Sequence, residues 1–351
     1  MLANILSRYD IDEKYCRVFP FGNGLINHTW KISYEGKEWI LQRINHQIFR
    51  KPEDILDNCS MLSAYFKSDH PEYLFVAPVL TSEGQNFAKE ENNYYRLFHF
   101  IENSYSCDTV SVPSLAYEAA KQFGKFTRML STFDPAQLHV TLPDFHNLTL
   151  RYQQFESALQ TGNNQRIDQS TKDISFLKSQ REIVEIYERI RNNPSFKLRV
   201  IHHDAKINNV LFDRRNNKGL CVIDLDTVMP GYFISDAGDM LRTYLSPVSE
   251  EEKDFSRIEI REEFFREIVK GYLGEMQSEL GEEEKQYFVY AGKFAIYMQA
   301  LRFLTDYLNK DIYYSIQYED QNKVRADNQI ILLRLFLEKE NQLTRIAKEV
   351  L

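Results

Sequence analysis

Cysteine is scarce in this chain, with four in 351 residues. Cys16, Cys59, Cys107 and Cys221 form no C-x-x-C pair, which argues against both a zinc site and a disulfide framework. Free thiols in a reducing cytoplasm fit that usage. Surplus positive charge is missing as well. Lys and Arg number 43 against 51 Asp and Glu, a formal charge of −8. An acidic surface repels nucleic acid and anionic lipid, so neither is expected as a partner. No apolar run approaches the roughly 18 residues that span a membrane. The opening MLANILSRYDIDEKYC meets acidic residues too early for a secretory signal. Repeats and low-complexity tracts are absent. A chain with 43% apolar residues remains, long enough for two lobes sharing a cleft.

The first hundred residues read mostly as strands. Tyr15–Pro20, Thr29–Tyr34 and Glu38–Ile44 are short, aromatic or β-branched, and separated by Gly22-Asn23-Gly24 and Glu35-Gly36-Lys37. Ile55, Cys59, Leu62 and Phe66 predict a helix over Lys51–Ser68. Phe75–Leu80 and Asn93–Phe100 read as two more strands around a Gly84 turn. Residues 1–101 therefore form an expected β-rich lobe of α+β type, and 102–113 a polar linker. From 114 to 351 helical spacing dominates. Leu115, Ala119, Phe123, Phe126 and Leu130 share a face, as do Leu177, Ile183, Val184, Tyr187 and Ile190. Long helices are expected over Glu259–Met276, Glu282–Leu308 and Val324–Leu351. One strand-rich insert interrupts them, with Leu198–Ile201, Val210–Phe212 and Leu220–Ile223 as short apolar strands.

Chemistry concentrates in that insert. His202-His203-Asp204-Ala205-Lys206-Ile207-Asn208-Asn209 is followed by Val222-Ile223-Asp224-Leu225-Asp226. Phosphoryl transfer needs an oriented hydroxyl, a metal ion between phosphates, and positive charge on the transferred group. Asp204 can orient the hydroxyl and take its proton. Asn209 and Asp224 offer hard oxygen ligands for Mg²⁺. Lys206 can neutralise charge on the moving phosphoryl group, and His202 supports the loop. H-x-D-x-K-x-x-N, a spacer and an Asp ending an apolar strand together make the protein-kinase catalytic loop and metal-binding Asp. Gly22-Asn23-Gly24 is the candidate turn over the ATP phosphates, since glycine lets the backbone approach them closely.

The catalytic loop and Asp224-Leu225-Asp226 resemble the aminoglycoside phosphotransferase and choline kinase family. That resemblance implies a two-lobed protein-kinase-like fold and an ATP- and Mg²⁺-dependent transfer to a small molecule. Asp-Phe-Gly and Ala-Pro-Glu are missing, against a protein substrate. Phe21-Gly22-Asn23-Gly24-Leu25-Ile26-Asn27, Asp236-Ala237-Gly238-Asp239 and Arg302-Phe303-Leu304-Thr305-Asp306-Tyr307-Leu308 further resemble the N-acetylhexosamine 1-kinases. This implies a sugar phosphorylated on its anomeric hydroxyl, with Asn27, Arg302 and Tyr313 around it and Asp204 as base. Adenine would meet backbone near Phe98–Ile101, with Phe98 and Ile101 as cofactor contacts. Arg302 has a structural alternative as partner to Asp306, four residues on in one helix.

One position departs from the kinase pattern. The third strand usually ends in a Lys that holds ATP phosphates, and here Gln42 stands there. The cation that replaces it is not legible, nor is the role of Asp226. Choline, homoserine and aminoglycoside kinases are the rival enzymes, and a catalytically inactive nucleotide- or sugar-binding relative is the rival of another class. A sulfatase would need Arg where Ser111-Val112-Pro113-Ser114-Leu115 has Leu115. Oligomeric state is open, with a monomer the simpler expectation.

Overall fold

The computed structural model describes residues 2–22 and 27–350. A short helix α1 (Leu2–Ser7) precedes strands β1 (Arg17–Pro20), β2 (His28–Tyr34) and β3 (Lys37–Ile44). Helix α2 (Pro52–Asp69) follows, then β4 (Ala88–Glu90) and β5 (Asn93–His99). The five strands form one antiparallel sheet in the order β1-β2-β3-β5-β4. The sheet is buried on two sides, as its alternating side chains require. Ile32, Trp39, Leu41, Tyr95 and Leu97 pack with Ile5 and Leu6 of α1. Ile44 and Tyr94 join Ile55, Leu62 and Phe66 of α2 in a core that continues into the helical half. The second helix is therefore a bridge between the lobes.

Phe75–Leu80 is not a strand. Only Val79 bridges to Leu97. Pro78 has no N–H to give a ladder, and the Ala77 amide turns back to the Phe75 carbonyl (3.1 Å). The edge strand is Ala88–Glu90 instead, joined to its neighbour through Glu91 at φ +53°.

Beyond the sheet, residues expected to be a plain linker contain β6 (Ser104–Tyr105). Then come α3 (Pro113–Met129), α4 (Leu148–Thr161), α5 (Asn164–Gln169), α6 (Thr171–Ser179) and α7 (Glu182–Arg191). The strands β7 (Arg199–Ile201), β8 (Val210–Asp213), β9 (Gly219–Val222) and β10 (Met229–Gly231) precede α8 (Ile234–Tyr244) and α9 (Glu262–Met276). The chain closes with α10 (Glu282–Gln286), α11 (Phe288–Leu308) and α12 (Gln321–Val350). The insert's strands do not make one sheet. β7 pairs β10, whereas β8 sits between β6 and β9. The catalytic loop runs from one small ribbon to the other.

Helix α11 is apolar nearly all round and fills the centre of the helical lobe, packed by α8, α4 and α12. Its expected start at Glu282 is broken at Tyr287, giving α10 and α11. Glu284 is buried and held by Arg199 at 2.6 and 2.8 Å and by the Gly281 amide at 2.9 Å, which pins that first turn separately. The face Leu115, Ala119, Phe123, Phe126 and Leu130 is buried as the spacing predicts.

Helices α3 and α9 approach closely through Gly271. A Cβ there would lie 2.3 Å from the Tyr117 carbonyl oxygen. Gly271→Ala is therefore expected to lower the unfolding free energy by about 1–3 kcal/mol. A shifted denaturant midpoint at constant slope checks this, with turnover per folded molecule unchanged.

Candidate active site

The catalytic loop leaves β7 at His202 and is held from below by one carboxylate. Asp236 of α8 is fully buried and accepts the His202 amide at 3.0 Å and the His203 amide at 2.7 Å. Burial pushes the Asp236 carboxyl up to about 7, and those two amide bonds oppose it. The loop has an unusual backbone. His203 has φ +66° and Asp224, across from it, φ +61°. Left-handed residues other than glycine cluster where surrounding contacts over-determine them. Those contacts are present. Thr227 Oγ1 donates to the His202 carbonyl (2.6 Å) and Tyr244 donates to the Ala205 carbonyl (2.7 Å).

His202 joins the two halves of the site. Its Nδ1 accepts the Asp204 amide at 3.4 Å, so Nε2 carries the proton and donates to the Ile223 carbonyl at 2.9 Å. Burial lowers its pKa and keeps the ring neutral. It is a support rather than a proton carrier, as expected.

Asp204, Lys206 and Asn209 converge. Lys206 Nζ lies 3.0 Å from Asp204 Oδ1, and Asn209 Nδ2 donates to Asp204 Oδ2 at 3.0 Å and to its carbonyl at 2.9 Å. Enclosure alone would raise the Asp204 carboxyl, but the Lys206 ammonium and the Asn209 hydrogen bond hold it below the usual value. It is ionised and able to take a proton. The Asn209 bonds use its NH₂ end and leave Oδ1, the end that can ligate a cation. Asp224 is set beside it, because the Ile223 amide donates to the Asn209 carbonyl at 2.9 Å. Asp224 opens to the cleft and has no hydrogen-bond donor among the described residues. Enclosure on its other sides, then Asp226 and Asp204, push its carboxyl up.

No group of three His, Cys, Asp or Glu side chains among the described residues could hold a metal alone. Mg²⁺ in phosphoryl transfer takes one or two carboxylates and completes its shell with phosphates and water. One carboxylate and one amide oxygen, side by side and without donors, fit that demand.

On the sheet side, Gln42 is flanked across the strands by Thr29 and Arg96. Arg96 donates to Gln42 Oε1 at 3.1 and 2.9 Å and reaches Asp226 Oδ1 at 2.6 Å. The sequence does not announce this arginine, whose only signal is a charged residue inside an aromatic strand. Asn27 donates to Asp226 Oδ2 (2.8 Å) and accepts the Asn45 amide (3.0 Å). Both ends of its amide thus serve the lobe junction. Gly22 has φ +76°, while Asn23 and Gly24 lie outside the described residues. Phe98 stands under the Arg96 guanidinium (5.2 Å), and the Ile101 carbonyl accepts Ser104 Oγ at 2.6 Å.

Arg302 and Tyr313 come together elsewhere, in a cavity of about 310 Å³ lined also by Arg151, Thr305, Asp306 and Tyr314. Arg302 faces the rings of Phe145, Tyr313 and Tyr314 at 5.5–5.9 Å. Phe145 stacks on His146, and His146 meets His203 at 5.4 Å, so the cavity adjoins the catalytic loop through three rings. Asp306 does not pair with Arg302. It accepts the Tyr313 and Tyr314 amides at 2.8 and 2.9 Å and Asn322 Nδ2 at 2.9 Å.

Residues 18–280 match the phosphotransferase enzyme family APH. The chain belongs to that family. Its fold recurs in a microcompartment-associated aminopropanol kinase at TM-score 0.64 and 14% identity, covering 97% of this chain and 96% of that one. A spectinomycin phosphotransferase solved with ADP and spectinomycin matches at TM-score 0.60 and 14% identity over 99% and 97% of the two chains. A choline kinase from Cryptosporidium parvum matches at TM-score 0.57 and 16% identity over 95% and 92%. The protein is a small-molecule phosphotransferase with the kinase-like α+β fold. Among the described residues no helix is long and apolar enough to cross a membrane.

His203 is buried, and desolvation lowers its pKa to about 4. Between its unfolded value near 6.5 and about 4, the unfolded chain holds a proton that the folded chain lacks. Acidification through that window therefore favours unfolding, by about 1.4 kcal/mol per pH unit for this group. His203→Gln should remove that slope, so the stability gap between the two proteins changes steadily from pH ~6.5 downward. Urea midpoints at several pH values measure it.

Proposed function

We propose that this phosphotransferase transfers the γ-phosphate of ATP to the anomeric hydroxyl of an N-acetylhexosamine, GlcNAc or GalNAc. The observation that carries the sugar reading is Arg302. It lines the cavity beside the catalytic loop with no carboxylate partner among the described residues, in company with Tyr313. A guanidinium and a phenol suit hydroxyls and an acetamide oxygen. The same cavity suits an ammonium group poorly. Its two guanidiniums, Arg151 and Arg302, repel a cation, and its one carboxylate, Asp306, is engaged by backbone amides. That argues against choline and aminoglycoside acceptors. Intact Asp204, Asn209 and Asp224 argue against an inactive relative.

In this reading Asp204 accepts the proton of the attacking hydroxyl. The sugar oxygen forms a bond to the γ-phosphorus as the bond to the β,γ-bridging oxygen breaks, and ADP leaves. Lys206 keeps Asp204 ionised before attack and meets charge on the phosphoryl oxygens afterwards. Asn209 and Asp224 would hold Mg²⁺, which when bound withdraws charge from the phosphates. The adenine is assigned to the segment Phe98–Ile101 and the phosphates to the Gly22–Gly24 turn. Four unpaired cysteines and an acidic surface suit a cytoplasmic enzyme acting on a free sugar.

ADP release with ATP, Mg²⁺ and GlcNAc, GalNAc, galactose, glucose, choline, homoserine and kanamycin tests the proposal. Turnover confined to the N-acetylhexosamines is expected, and turnover confined to an amine would discard the sugar. Asp204→Asn should lose at least about a hundredfold in kcat while melting normally. Arg302→Gln should raise the sugar KM about tenfold with the ATP KM unchanged.

A further inference from the structure

The strand position that carries a cation in the kinase pattern is neutral Gln42, and a cation stands directly across the ladder from it. Gln42 of β3 pairs with Arg96 of β5 in register. Facing side chains on adjacent strands interact directly. Arg96 is 1% exposed, while Gln42 is only half-buried. The guanidinium holds Gln42 Oε1 with two bonds, from Nε (3.1 Å) and Nη2 (2.9 Å). An amide held by its oxygen presents its NH₂ end outward. One of those hydrogens has a long contact to Thr29 Oγ1 at 3.3 Å. The same Nη2 reaches Asp226 at 2.6 Å, and Asp226 stands two residues from Asp224 on the metal loop.

We propose that Arg96 replaces the missing strand cation from one strand away, acting through Gln42, whose polarised Nε2–H donates to the nucleotide phosphates. Asp226 is the carboxylate that holds Arg96, in place of a glutamate on the neighbouring helix. The inference rests on the nucleotide reading above and adds the residues that set phosphate affinity. Arg96 is a positioning residue. Gln42 is the group that touches the ligand. Burying the charge behind a carboxamide puts a fixed dipole, rather than a mobile ammonium, at the phosphates. It also joins the sheet to the metal loop, so phosphate contact and metal-loop position depend on one guanidinium. A full charge in that dry setting polarises its hydrogen-bond partners strongly. Asp226 keeps the buried cation paired, without which it would be costly.

Binding of Mg·ADP to the full chain, by calorimetry without acceptor, tests this. Gln42→Glu keeps an oxygen for Arg96 and replaces the outward NH₂ with a second oxygen. It should stay folded, because Arg96 keeps an oxygen partner at position 42. Its affinity for Mg·ADP should fall about tenfold or more. Unchanged affinity in a folded Gln42→Glu overturns the proposal. Should that variant not fold, the exchange Arg96→Gln with Gln42→Lys returns the cation to β3. It should bind Mg·ADP more tightly than Arg96→Gln alone, and equal affinities overturn the proposal. A wild-type protein that binds no Mg·ADP overturns the nucleotide reading itself, a result distinct from either of these.

Discussion

The site depends on one buried carboxylate. Asp236 takes the amides of His202 and His203 together, and so fixes the left-handed turn that aims Asp204 at the cleft. Its helix is fixed in turn by close packing, since a Cβ on Gly238 would lie 2.4 Å from the Ala291 carbonyl of the central helix. The helical core therefore reaches the catalytic carboxylate through two contacts. A loop with exposed polar residues gains the rigidity that a reacting group needs.

Three carboxylates crowd the cleft, and each is handled differently. Asp204 has Lys206, Asp226 has Arg96, and Asp224 has no donor among the described residues. Like charges so close raise one another's pKa unless a cation intervenes. Two receive a protein cation, and the third, Asp224, receives none among the described residues. The division of labour among three identical groups is set by neighbours alone.

The helical lobe carries the Arg302 cavity, which the rings of Phe145, His146 and His203 link to the catalytic loop. In a shared fold, acceptor choice lies in such a cavity rather than in the phosphate machinery. Relatives of the same fold include enzymes for amine-bearing acceptors. Here two arginines, Arg151 and Arg302, line the cavity.

Much of this was legible in sequence, and for a consistent reason. The loop from His202 to Asn209 is contiguous, so its spacing alone places an acid, a cation and an amide together. Helices α3, α9 and α12 and the strands β2, β3 and β5 followed from local periodicity, because each buries one face, whereas the face drawn from Leu177 to Ile190 is divided between α6 and α7. Local pattern failed where the outcome hung on a distant partner. Phe75–Leu80 had a strand's composition, but Pro78 denied it a ladder. Glu282–Leu308 had a helix's composition, but Arg199 pinned Glu284 and split it. Arg302 could be read as a partner of Asp306 or as a sugar contact until backbone amides claimed Asp306. Sequence by itself determined which side chains the loop brings together, since covalent spacing carries it. Only the tertiary structure decided which groups meet Gln42 and Asp226. Strand register and lobe contact bring Arg96, Gln42 and Asp226 together, and neither is written in any local run of residues.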